Sequence, residues 1–160
     1  MCDTSVLLHL TEADALPLLS RMGDICVPGA VDVEMTHHSA VWRNEKPSWI
    51  HVHSLTASLL KEATAWCQAG LLDPGEAEAI ALVRPINADW LLTDDAAARL
   101  FAQSLGIEVH GSLGIVLWAA AAGELGHADA EATLDRLANS SLWISAKVLA
   151  EARSALGRLY

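Results

Sequence analysis

Cations are scarce in this sequence. Its 160 residues contain 10 Lys and Arg against 20 Asp and Glu, a formal net charge of -10, which excludes a protein that grips a polyanion through a broad basic face. Cysteine is equally sparse: Cys2, Cys26 and Cys67 form an odd, scattered set without a CxxC pair, so neither a disulfide framework nor a zinc ribbon is expected. No run of eighteen apolar residues is present, and MCDTSVLLHLTEAD has no basic segment before its short apolar run. A membrane span and a secretory leader are therefore not expected, and the expected location is the cytoplasm. Phe and Tyr occur once each, and the six Trp show no period, which suits core filling. Repeats, low-complexity tracts and linkers are lacking as well.

What remains is 52% apolar and 19% charged, a composition that folds, and its length suits one domain over 1–160 with a real core. Asp3, Thr4 and Ser5 are good helix caps, and Leu7, Leu8, Leu10, Ala15, Leu18 and Leu19 recur at helical spacing, which predicts a helix through this segment. Ile25-Cys26-Val27, Pro28-Gly29 and Ala30 to Met35 predict strand, turn and helix, with Glu34 inside the helix. His37 to Ser48 is polar and predicts a loop; Trp49 to His53 alternates and predicts a strand. A helix follows from Ala57 to Ala69, ended by Gly70.

In Asp73-Pro74-Gly75-Glu76 the Asp stands at the N-cap, Pro at the first helical position and Glu at the third, the acidic form of a capping box. Asp89 to Thr93 predicts a strand, Asp94-Asp95 the start of a helix that Gly106 ends, and Ile107 to His110 a fifth strand. The apolar helix LGIVLWAAAAGEL comes next, and 128–160 predicts a helical extension packed on the domain. Strands alternating with helices give an α/β fold with a mostly parallel sheet covered on both faces, and ligands of such sheets sit beyond the carboxyl ends of the strands.

Asp3, Glu76, Asp94 and Asp95 fall at those ends. Each, with Asp73, also has an ordinary explanation as a cap or first-turn acid contributing about 0.5–1 kcal/mol, and Glu34 one as part of a solvated helix face. Four or five carboxylates converging within a few ångströms would not stay ionised without cations between them, and hard divalent ions with oxygen ligands answer that need. His37-His38 and His51-x-His53 invite a transition metal, yet no nearby Cys or acid completes a set.

CDTS, VPGAVDVEM, LDPGEAEAIAL, ADWLLTDDAAAR and LGIEVHGSLGIVLWAAAAGEL resemble, in order and spacing, the PIN-domain family of metal-dependent ribonucleases. The likeness is to the prokaryotic branch with GEAEAI and LLxDD signatures, relatives of the VapC-type toxins of toxin–antitoxin modules, and it covers Cys2 to about Leu125. It implies a three-layer PIN-like sandwich whose five-stranded, mostly parallel sheet has the order 3-2-1-4-5. It also implies an Mg²⁺ or Mn²⁺ site that hydrolyses RNA phosphodiesters and a cognate antitoxin protein as partner; a homodimer is expected separately, from the alanine-rich LWAAAAGEL and the C-terminal helices. By position the motif acids are Asp3, Glu34, Glu76, Asp94 and Asp95, with Asp3, Glu76 and Asp95 as metal ligands. Ser5 and Thr93 match hydroxyl positions that orient a ligand or water. Asp95 rather than Asp94 corresponds to the acid of the T-x-D form.

Arg99, one helical turn past Asp95, is a candidate phosphate contact, with a surface salt bridge as the ordinary alternative. With so few cations, affinity for RNA is expected to be weak without metal. Only Met1 and Cys2 precede Asp3, so either the natural start lies upstream or the first strand is unusually short. Two other readings are a PIN-like binding or assembly module without turnover, and a phospho-accepting receiver-like domain. The receiver reading lacks the lysine it requires after the fifth strand, where His110-Gly111-Ser112-Leu113 stands.

Overall fold

A computed structural model describes residues 1–160. Helix α1 spans Thr4–Glu12, followed by a 3₁₀ turn Leu16–Leu18, α2 Leu19–Met22, β1 Ile25–Pro28, α3 Gly29–His38 and α4 Ala40–Glu45. Next come β2 Ile50–His53, α5 Ala57–Gln68, α6 Pro74–Val83, β3 Leu91–Leu92, α7 Ala96–Ser104 and β4 Val109–His110. Three helices complete the chain: α8 Ser112–Ala121, α9 His127–Ala138 and α10 Ala146–Gly157. No helix is long and apolar enough to cross a membrane.

The fold is α/β, with four strands in two parallel pairs, β1 with β2 and β3 with β4. The expected five-stranded sheet is therefore met only in part. Met1 to Asp3, expected as the first strand, makes a single parallel bridge, Cys2 to Leu92. Its backbone is nevertheless paired on both sides: Cys2 N donates to Cys26 O at 2.8 Å, Leu92 N to Met1 O at 2.8 Å and Asp3 N to Leu92 O at 3.0 Å. Helix α1 begins at Thr4, so no further residue on that side is extended enough to lengthen the ladder.

Two other expectations give way to local chemistry. The helix expected to run on past Leu10 stops at Glu12, where Asp14 turns the chain with φ of 51° and Pro17 then starts a fresh 3₁₀ turn. The loop expected from His37 contains the last turn of α3 and the whole of α4. Ser39 caps α4 by accepting from Trp42 N, and Trp42 Nε1 donates to Asp32 Oδ1 at 2.9 Å, which ties α4 to α3. A six-residue helix is marginal alone and forms here because a non-local contact holds it.

The chain divides into two compact units. The first comprises 1–8 and 24–110. Its core gathers Leu72, Ala77, Ile80, Leu82 and Val83 with Leu91, Ala98, Ala102, Ile107 and Val109, while α3 and α6 pack on β1 and α7 on β4. The apolar residues of GEAEAIAL are buried nearly all round the helix, so α6 is held firmly in the core and carries Glu76 on its first turn. The second unit comprises 9–23 and 111–160, with Leu19, Ile115, Leu134, Leu137 and Leu156 buried in it. Its α9 and α10 lie in residues 127–157, so the expected helical extension from 128 begins one residue inside α9.

Candidate active site

Asp3 caps α1. Its Oδ1 accepts from Ser5 Oγ at 2.7 Å and from Val6 N at 3.2 Å. The side chain is 1% exposed, and Oδ2 is the one buried side-chain oxygen or nitrogen in the protein that has no hydrogen-bond partner. Burial pushes the carboxyl up to about 6; the nearby Thr93 hydroxyl, Ser5 and Val6 N oppose this, and the charge of Asp94 adds to it. Thr93 eases the ionisation of Asp3 without meeting Oδ2 in hydrogen-bond geometry. A buried carboxylate left half unsatisfied costs free energy that a fold does not keep without use.

Glu76 closes the capping box of α6, its Oε2 accepting from Asp73 N at 2.9 Å. Burial pushes it up to about 7 against that hydrogen bond, and the charges of Asp95, Asp3 and Asp73 push the same way. Glu76 therefore feels both other acids of the expected ligand set. Asp95 caps α7, with Oδ1 accepting from Ala98 N at 2.8 Å. Asp94 is half-buried, and its backbone N donates to Ser5 Oγ at 2.9 Å. Ser5 thus joins the two acidic segments, donating to Asp3 and accepting from Asp94 N. Thr93 Oγ1 accepts from Asp95 N at 3.1 Å and fixes the turn into α7.

Glu34 is held at both oxygens. Oε1 accepts from Gly75 N at 3.1 Å, and Thr4 Oγ1 donates to Oε2 over a short contact. Asp3, Thr4, Ser5, Glu34, His38, Asp73, Pro74 and Glu76 line a cavity of about 320 Å³. Asp94 and Asp95 stand outside that lining and act on it through their charge. Arg99 makes neither a salt bridge nor a free arm: its Nη1 donates to Thr93 O at 3.1 Å and braces the LLTDD turn.

As placed, no three His, Cys, Asp or Glu side chains form a ready ligand cluster. The donor chemistry still fits a hard divalent ion: the acids offer oxygen only, Asp3 Oδ2 is unclaimed, and Glu76 and Asp95 each have one oxygen beyond the one used in capping. Asp3, Glu76 and Asp95 are the residues that would hold it.

A PIN-domain family profile matches residues 1–158. The chain belongs to the PIN-domain family. Comparison with curated proteins and with solved structures finds no significant match. PIN domains are generally nucleases and typically use divalent metals, and membership of the family suggests a nuclease fold for this chain.

Three contributors escaped the sequence reading. Gly75 looks like a helix-start glycine, yet a Cβ there would come within 2.6 Å of Glu34 Oε2. Glu78, the second acid of GEAEAI, accepts from Ala30 N at 3.0 Å and anchors the first turn of α3, the helix that carries Glu34. Thr4 reads as a cap and proves to be the hydroxyl that holds Glu34. Only the order of small and acidic residues hinted at these roles, since each depends on a contact distant in sequence.

Proposed function

We propose that this PIN domain is an Mg²⁺- or Mn²⁺-dependent endoribonuclease, the toxin of a toxin–antitoxin pair restrained by a separate antitoxin protein. The observation that carries the reading is Asp3: a fully buried carboxylate with a free oxygen, at the edge of a cavity it shares with Glu34 and Glu76 and within the field of Asp94. A bound divalent ion supplies Lewis-acid polarisation of the phosphodiester and a nucleophilic water at neutral pH.

The chain's own residues do the rest by position. Asp3, Glu76 and Asp95 would present oxygens to such an ion, and capping hydrogen bonds hold each of these side chains in place. Glu34 and Asp94 complete the acidic field, the first locked by Gly75 and Thr4, the second placed through Ser5. Thr93 and Arg99 hold the turn that delivers Asp95. Hydrolysis joins a water oxygen to phosphorus and sends its proton to the departing sugar oxygen.

Purified protein should cleave single-stranded RNA with Mn²⁺, stop with EDTA, and lose the activity in Asp95→Asn. Expression should arrest growth in the wild type only. The rival reading is a PIN-like assembly module without turnover, and it draws support from the hydrogen bonds that Glu34, Glu76 and Asp95 already make. It predicts no cleavage under any metal.

A further inference from the structure

The acidic cavity is hostile to the molecule it is proposed to cut. Of its eight lining residues, Asp3, Glu34, Asp73 and Glu76 are carboxylic acids, Thr4 and Ser5 already serve Glu34 and Asp3, and Pro74 offers no donor. His38 is the one side chain in the lining with a nitrogen donor. It lies four residues after Glu34, so both project from one face of α3. The adjacent His37 uses Nδ1 on Val33 O at 2.8 Å, whereas the exposed His38 ring makes no hydrogen bond or ion pair within the chain.

We propose that His38 is a substrate-contact residue, donating a hydrogen bond to a phosphate oxygen of the RNA strand at the rim of the cavity. The inference rests on the nuclease reading of the same site. A neutral imidazole has one N–H to give and an imidazolium two, so the contact exists in either protonation state. In a chain with a net charge of -10, one donor beside the acids has a large share of the task of keeping the backbone phosphate near them.

The test is binding of a fluorescein-labelled, randomised single-stranded RNA to the full chain, read by anisotropy with Ca²⁺ replacing Mg²⁺, beside calorimetric Mn²⁺ titration of each variant. His38→Ala should weaken RNA binding about tenfold, the scale of one charge-assisted hydrogen bond, and raise KM while kcat and Mn²⁺ affinity stay near wild type. His38→Gln, which restores a donor and cannot shuttle a proton, should recover most of the binding. Wild-type RNA binding that His38→Ala leaves unchanged overturns the inference and spares the nuclease reading. A wild type that binds neither Mn²⁺ nor RNA overturns both.

Discussion

Glu34 and Gly75 are 41 residues apart in sequence and in direct contact: Gly75 N donates to Glu34 Oε1 at 3.1 Å, and a Cβ at position 75 would lie 2.6 Å from Oε2. The glycine of GEAEAI is thus the seat of the acid of VPGAVDVEM. The atom that would be displaced is the far end of a flexible side chain, and alanine favours a helix by about 1 kcal/mol over glycine. Gly75→Ala should therefore leave the melting temperature nearly unchanged while swinging Glu34 out of the cavity. RNA cleavage should fall as far as it does in Glu34→Gln, and the double variant should be no worse than either single, the mark of one shared interaction.

Asp3 makes stability depend on pH in a direction opposite to that of a salt-bridged carboxylate. The fold raises its carboxyl from 3.8 to about 6, so the folded protein binds that proton more tightly than the unfolded chain does. Its contribution to stability is complete below 3.8 and is lost as pH rises through about 6. Glu76, raised from 4.5 to about 7, acts in the same sense. At about 1.4 kcal/mol per pH unit, ionised Asp3 costs on the order of 3 kcal/mol at pH 8. In EDTA, Asp3→Asn should melt several degrees above wild type at pH 8 and close to it at pH 4, since the amide oxygen keeps the helix cap. Mn²⁺ should raise the melting point of wild type only.

Metal binding should then release protons. Below pH 7 a fraction of Asp3 and Glu76 is protonated, and a cation displaces those protons. Mn²⁺ affinity should rise with pH between about 5.5 and 7.5 and flatten above. The apparent binding enthalpy at pH 6 should vary with the ionisation enthalpy of the buffer.

Glu78 offers a separate handle on Glu34. Removing its hydrogen bond to Ala30 N in Glu78→Ala should cost about 1–2 kcal/mol of stability and loosen the start of α3, and cleavage should fall with it. Glu78→Gln retains an acceptor and should recover most of both, which thermal denaturation and an RNA cleavage assay would show side by side.

Four acids at the site were legible because they double as helix-capping residues, whereas Glu34 and Asp94 were marked only by their place in the family's motifs. Asp3, Asp73, Glu76 and Asp95 stand where capping chemistry puts carboxylates, and that chemistry is local. The PIN-domain family, too, could be recognised from its five segments. What lay beyond reach depends on partners far along the chain: Gly75 beneath Glu34, Glu78 on Ala30 N, and Trp42 on Asp32, which makes a helix of an apparent loop. The strands also came out shorter than their apolar runs. Asp89 to Thr93 reads as five extended residues, yet only Leu91 and Leu92 form β3, because the ladder ends where the partner segments Met1 to Asp3 and Val109–His110 end.

The central claim is that the Asp3, Glu76 and Asp95 carboxylates hold a divalent ion. Calorimetric titration of Mn²⁺ and Mg²⁺ into wild type and Asp95→Asn tests it most directly, because asparagine keeps the cap on α7 and removes only the charge. Saturable binding to the wild type, lost in the variant with its melting behaviour intact, is the predicted result. A folded wild type that takes up neither ion, or an Asp95→Asn that binds as well as wild type, would contradict the account.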